Sequence, residues 1–343
     1  MKIQFILRLG AALAGFAFGL SVALTVPRMW RFDYRGVVLW PIQDGAYVPV
    51  DTFPVITDSA GVVVVSYPEP VGVRHNPMSV AYYALRVHAR LNQPRERRAF
   101  WTQVEWLVEN ARVDERLGVR WEYDFDVPPA QRAPWISGMA QGMAISALTR
   151  AYRASGDSVY LRYAKGALRV FEIDEKDGGV VRYMGDGLAI YQEYPRDRYV
   201  VLDGWLAALA GVQELYLATG DPQAKRILDR GLHTLRLLLP QFENSFAVLY
   251  SSRRGLPRPH YFAVSYNWLR YLATYDASLA PAVKRWERHR RGGFWALYAR
   301  VCYQSLNWRL MRFRRGPDLD TRGMRGMDAN APARDREPAP RGG

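Results

Sequence analysis

Ala154-Ser-Gly-Asp157 and Ala218-Thr-Gly-Asp221 stand 64 residues apart, and each closes one apolar-periodic segment and opens another. Glycine reaches the left-handed conformation that ends a helix. Aspartate accepts from the unpaired N–H groups that open the next, and Pro222, at a first-turn position, lacks only an N–H that would have no intrahelical partner. Both stretches therefore read as helix–turn–helix corners. The correspondence runs on through Tyr152/Tyr216, Leu168/Leu232 and Phe171/Leu235, which makes a structural repeat of two helices plus a connecting element.

Counting outward from the corners, hydrophobic periodicity predicts helices near 78–92, 95–112, 138–155, 157–171, 203–219, 222–238, 264–275 and 279–291, which make four hairpins. Strand-like stretches lie between them at Val119–Phe125, Gly179–Tyr183, Leu188–Tyr191 and Phe246–Tyr250, while Val37–Trp40 and Val62–Val65 precede them. The expected fold is mainly α: an (α/α) toroid of about four helical hairpins, with a small amino-terminal β element and inserted short β-hairpins. In such a ring the connections at one end form a groove, so polar and aromatic residues on connections are the functional candidates.

A chain of 343 residues with 49% hydrophobic and 13% aromatic composition can bury a sizeable core, which excludes a largely disordered or collagen-like protein. Its single cysteine, Cys302, excludes an internal disulfide framework and a zinc site built from several thiolates. We divide it into a signal anchor or signal peptide (1–27), a small β-rich segment (28–73), the toroid (74–292), a basic aromatic amphipathic segment (293–315) and a disordered tail (316–343). From Leu9 to Val26 the chain is uncharged and apolar or small, barely membrane length, and Ser21-Val-Ala23 has cleavage-site spacing. Either a cleaved signal or an uncleaved anchor fits. Export, as a membrane-anchored or secreted protein, is the expectation. Basic residues on both sides of the run leave its orientation open. The tail has five glycines, four prolines and no aromatic residue.

The net charge of +14 is unevenly placed, because ten basic residues between Lys284 and Arg315 face Glu287 alone. Trp295, Tyr298, Cys302, Leu306, Trp308 and Met311 interleave with them. An amphipathic helix on an anionic membrane has this pattern, and so does a helix docked on the main domain.

No nucleotide-binding glycine loop, metal triad or nucleophile elbow is present; Gly185-Asp-Gly187 is a turn. His75, His88, His233, His260 and His289 lack the paired spacing of a metal site and read as structural or solvated. What remains is a density of tyrosine, carboxylate and arginine outside the helices, in Tyr191-Gln-Glu-Tyr-Pro195, Tyr250-Ser-Ser-Arg253 and His260-Tyr261. A tyrosine in a strand is more often a packing residue than a catalytic one.

Across Arg74–Gly292 the chain resembles the carboxy-terminal domain of the D-glucuronyl C5-epimerases, which turn glucuronate into iduronate within heparan-type chains. The blocks that carry the resemblance are Pro134–Tyr152 (PWISGMAQGMAISALTRAY), Glu193-Tyr-Pro195 and Val201-Leu-Asp-Gly204, with a weaker one at Pro77–Leu85. The resemblance implies Glu193, Tyr194, Tyr250 and Tyr261 as catalytic residues and Arg253 as the carboxylate-binding arginine. Tyr191, Arg74 and Asn76 join Arg253 as substrate-binding candidates. Ile190, Gln192 and Ser265 depart from the family pattern, which has tryptophan, glutamate and histidine there. These departures bear on substrate more than on reaction.

Inverting C5 removes a proton α to the uronate carboxylate and returns one to the opposite face, so two proton-transfer groups must flank the ring. Glu193 and Tyr261 are the expected pair. The glutamate would need its pKa raised by burial and the tyrosine its pKa lowered by nearby positive charge. No cofactor or metal is required, because the abstracted proton is already acidified by the carboxylate. The same carbanion can instead expel the 4-linked sugar, as a lyase does, and a noncatalytic glycan-binding protein is the reading from another class. The expected partners are an acidic polysaccharide and a membrane, not nucleic acid, and a homodimer stays open.

Overall fold

The computed structural model describes residues 30–37, 55–127 and 131–310, with Gly10 and Leu319. Apart from Gly10 and Leu319, the expected anchor or signal at 1–27, residues 38–40 and everything from 311 onward lie outside the described residues.

Both corners form as their residues dictate. Gly156 (φ 75°) and Gly220 (φ 68°) are left-handed and donate to the carbonyls of Tyr152 and Tyr216, each at 2.7 Å. Nothing lies within 4 Å of where a Cβ would stand, so backbone conformation, not crowding, selects glycine at both. Asp157 accepts from the N–H of Val159, and Asp221 from those of Gln223 and Ala224. Each cap contributes about 1 kcal/mol.

Four hairpins follow: α1 (Pro77–His88) with α2 (Pro94–Glu109), α3 (Gly138–Ser155) with α4 (Ser158–Gly166), α5 (Leu202–Thr219) with α6 (Pro222–Leu238), and α7 (Pro259–Tyr275) with α8 (Ala280–Arg291). The first helices of the pairs, α1, α3, α5 and α7, pack side by side as an inner layer, and each carries its partner outside, the arrangement of an (α/α) toroid. Burial follows sequence. Residues 138–151 and 202–215 are buried all round, whereas α6 buries one stripe through Ala224, Ile227, Leu228, Gly231, Leu232, Leu235 and Leu238.

Short antiparallel sheets fill the connections. β1 (Ile56–Thr57), β2 (Val63–Ser66) and β3 (Val73–His75) form one sheet in which Val64 faces both Ile56 and His75. β4 (Arg112–Asp114) pairs with β5 (Gly118–Arg120), β6 (Glu122–Tyr123) with β7 (Trp135–Ile136), and β8 (Val181–Met184) with β9 (Leu188–Tyr191).

Several expected boundaries move. The stretch 119–125 splits between two sheets, and 246–250 forms no strand, only an isolated bridge between Glu243 and Val248. α4 stops at Gly166 and continues as a 3₁₀ turn at Arg169–Glu172. α7 starts at Pro259 instead of near 264, because extended Arg258 precedes a proline in the first helical position, so His260 and Tyr261 are helical and not on a connection.

Past the ring, α9 (Phe294–Leu310) docks on the domain through Leu297, Arg300, Val301 and Asn307, all buried. The Arg300 guanidinium donates to the carbonyls of Phe246 (2.8 Å), Phe32 (3.1 Å) and His289 and lies 4.5 Å from the Tyr34 ring centre. The opposite side exposes Phe294, Trp295 and Leu306. The basic aromatic segment thus docks by one face. Among the described residues no helix is long and apolar enough to cross a membrane.

Candidate active site

The inner helices present their amino-terminal turns to one region. Asn76 caps α1, Ser137 caps α3, Asp203 is the second residue of α5 and Tyr261 the third of α7. Helix N-termini carry unpaired N–H groups and the positive end of the dipole, a field that favours negative charge.

Two loops are clamped onto these turns. The backbone of Gln192 donates to Val180 and accepts from Gly138, both at 2.8 Å, which fixes Glu193 and Tyr194 between α3 and α5. Glu193 lies flat on the first turn of α5: a Cβ on Gly204 would stand 2.4 Å from the Glu193 Cβ and 2.5 Å from its Oε2. Only glycine permits this approach. The second loop is joined to the start of α5 by Leu202 N–H to the Tyr250 carbonyl (3.0 Å) and Ser252 N–H to the Val200 carbonyl (2.9 Å). Arg196 (φ 68°) and Arg254 (φ 64°), among the described residues the non-glycine ones with left-handed backbone, flank these two loops, and such strain gathers where surrounding structure over-determines the chain.

A cavity of about 520 Å³ opens along the inner helices, closed on one side by residues of the β1–β2–β3 sheet. Its polar wall includes Tyr67, Asn76, Arg86, Asp203, His260 and Tyr261, and Met139, Met143, Val264 and Trp268 supply apolar surface. The size suits a small ligand or one to two sugar rings. Asn76 links two wall tyrosines, donating to the Tyr67 hydroxyl (2.6 Å) and accepting from that of Tyr123 (3.2 Å).

Protons are held tightly here. Burial, then the neighbouring Asp203, lifts the Glu193 carboxyl well above the usual carboxylate range, and its Oε2 is buried with no protein partner. Burial lifts Asp203 to about 7. Tyr194 is raised by the Glu193 charge and then by burial; Tyr250 and Tyr261 are raised by burial and then by Asp203 and Glu193. The expectation of a tyrosine lowered by positive charge is therefore reversed: the charges that act most strongly on these phenols are carboxylates, and Arg258 opposes them only weakly at Tyr261. Tyr250 and Tyr261 stand with ring centres 5.2 Å apart, and His260 lies 4.0 Å from Tyr261, its own pKa lowered by burial and Arg258.

The family model described as D-glucuronyl C5-epimerase C-terminus matches residues 114–288, about half the chain, and spans both clamped loops and the starts of α3, α5 and α7. The chain belongs to that family. A D-glucuronyl C5-epimerase of Caenorhabditis elegans is 32% identical over 231 residues, which are 59% of this chain and 37% of that protein. An uncharacterized protein of Methanocaldococcus jannaschii is 26% identical over 188 residues, 52% of this chain and 61% of that one. The chain thus spans little more than a third of the first relative's length. Among solved structures, an endo-beta-1,4-glucanase from Acetobacter xylinum is 12% identical with a TM-score of 0.44, over 66% of this chain and 70% of that one.

Within this family member, the residues picked out by sequence separate. Glu193, Tyr194, Tyr250 and Tyr261 gather around the start of α5, and Asn76 is in the cavity wall. Tyr191 is fully buried with its hydroxyl on the Ile227 carbonyl (2.6 Å), a core residue out of reach of a substrate. Arg253 is exposed with its guanidinium 5.4 Å from the Tyr199 ring centre, and Arg74 is exposed on β3; neither is in the cavity wall. Among the described residues Arg86 is the arginine there. Arg86, Asp203 and His260 escaped sequence reasoning as site residues. Asp203 carried one signal, its place in the Val201–Gly204 block; Arg86, just past the Pro77–Leu85 block, carried none.

Proposed function

We propose that the chain is a uronyl C5-epimerase that converts D-glucuronate to L-iduronate residues within an acidic, heparosan-like polysaccharide by exchanging the C5 proton between two faces of the ring. The supporting observation is the gathering of buried carboxyls and raised-pKa tyrosines at the positive ends of four helices. A raised carboxyl is a base strong enough to remove an α-proton, and a raised phenol keeps its proton and can donate it. The helix N-termini and Arg86 favour the uronate carboxylate and the extra charge that develops on it when C5 is deprotonated. The carboxyl side of the reaction is built around Glu193 and the phenol side around Tyr261.

We also place the domain at a membrane surface, tethered through the apolar run Leu9–Val26, with the exposed face of α9 turned toward the lipid.

The test is incubation with heparosan in deuterated water, read by NMR at C5 and by absorbance of unsaturated uronides. Deuterium at C5 together with iduronate is the expected result. Rising absorbance selects a lyase. Neither signal, across several uronate polymers, leaves a glycan-binding protein.

A further inference from the structure

A second carboxyl accompanies Glu193: Asp203 lines the cavity, with Tyr261 of the neighbouring inner helix in the same wall. Its side chain is almost wholly enclosed, and among the described residues no lysine or arginine forms a salt bridge with it. One oxygen, Oδ1, accepts the Gly204 N–H at 3.1 Å. Directly on that glycine rests the Glu193 carboxyl, with its partnerless Oε2. A carboxyl held against a carboxyl in so enclosed a position, with no cation between them, cannot carry two charges near neutrality.

Resting on the epimerase reading, we propose that Asp203 is a second proton-transfer residue of this site: Glu193 and Asp203 hold one proton between them, and Asp203 is the member that takes the C5 proton from a uronate in the cavity. The C5–H bond breaks, the proton moves to the Asp203 carboxylate, and the electron pair delocalises into the substrate's C6 carboxylate. The Tyr261 hydroxyl then gives its proton to C5 from the other face. A proton passed from Asp203 to the Tyr261 phenolate through cavity solvent restores both groups. The balance needs no oxidant or co-reactant. The titratable groups around the carboxyl pair are Glu193 and Tyr194 from the first loop, Tyr250 from the second, His260 and Tyr261 from α7, and Tyr67 and Tyr123 from the sheet side. Arg258 and Arg86 are the cations set against them.

The experiment compares the full-length wild type with Asp203→Asn, Asp203→Glu and Glu193→Gln in C5 deuterium exchange on heparosan from pH 5 to 9. Asparagine keeps the acceptor for Gly204 N–H and cannot take the C5 proton, so exchange at pH 7 should fall at least about 10²-fold and the acid limb of the profile should vanish. Asp203→Glu keeps a proton acceptor and should exceed Asp203→Asn by about tenfold or more, with the acid limb retained. Glu193→Gln leaves Asp203 beside a neutral amide, so its acid limb should move to lower pH and its loss should be smaller than that of Asp203→Asn. Exchange by Asp203→Asn within about fivefold of wild type, with an unchanged acid limb, would overturn this assignment and leave Glu193 acting alone. No exchange by the wild type on any uronate polymer would overturn the function and the assignment with it.

Discussion

Tyr261→Phe removes one hydroxyl from a ring whose packing partners, Tyr250 and His260, remain in place. With the residue 38% exposed, little burial is lost, so thermal stability should barely change. Turnover should fall on the order of 10²- to 10⁴-fold if the phenol donates to C5; C5 exchange and a melting curve on the same sample separate the two effects. Asp203 makes an independent prediction about stability. Its pKa in the folded chain lies above that in the unfolded chain, so as pH rises the unfolded state ionises first. Whatever stability Asp203 confers is complete below about pH 4 and is lost as pH climbs through about 7. Asp203→Asn escapes that loss. Relative to wild type it should gain on the order of a few kcal/mol above pH 7 and nothing near pH 4. Urea unfolding at the two pH values checks it, and a difference that does not change with pH rejects it.

Helices and loops decide whether those groups meet. Gly204 and Gly220 lie at opposite ends of α5 and should respond differently to alanine. At Gly220 the penalty is backbone conformation alone, about 1 kcal/mol with normal turnover. At Gly204 the new methyl would occupy the Glu193 side chain's position, and turnover should collapse. The corner sequences made this pair of helices legible, because glycine and aspartate at a helix junction each have a local physical reason to be there. The site was legible only in part. A carboxylate in a first turn, such as Asp203, reads locally as a partner for the helix dipole, and only tertiary packing shows Glu193 resting on the next residue. Tyr191 sits in the same tyrosine-rich stretch as Tyr194 but points into the core, a distinction that strand alternation alone does not assign to substrate or packing. α9 was legible as amphipathic, yet its support of the site was not. Gln304 accepts from Leu256 N–H (3.0 Å), and Tyr303 and Asn307 donate to the Arg254 carbonyl (3.0 and 3.1 Å), so α9 holds the loop that carries Tyr250. Gln304→Ala leaves Leu256 N–H without its protein acceptor, an expected local cost of about 1–3 kcal/mol. Hydrogen exchange across 250–256 should quicken and turnover should drop roughly tenfold; unchanged protection there would show that α9 does not set the loop.

At the scale of the whole molecule, Arg300 ties α9 to Phe32, six residues beyond Val26, where the apolar run ends. Six residues span at most about 20 Å, so a bilayer holding Leu9–Val26 would lie close to α9. The charges of this region are partly committed already: Arg285 pairs with Glu243, Arg290 and Arg291 pair with Glu287, and Arg300 is buried. Attraction of about 1 kcal/mol for each basic residue at an anionic surface is thus left largely to exposed groups such as Lys284 and Arg288. Apolar insertion should matter more, led by Trp295, which is 76% exposed, with Phe294 beside it and Leu306 about three turns further along the helix. A protein spanning residues 28–343 should therefore co-sediment with vesicles containing about a third anionic lipid. Trp295→Ala should weaken binding about tenfold, more than Arg288→Ala does, and raised salt should reduce binding without abolishing it. Absence of binding at low salt would mean that α9 serves the Tyr250 loop alone and that its exposed aromatic face has no lipid to meet.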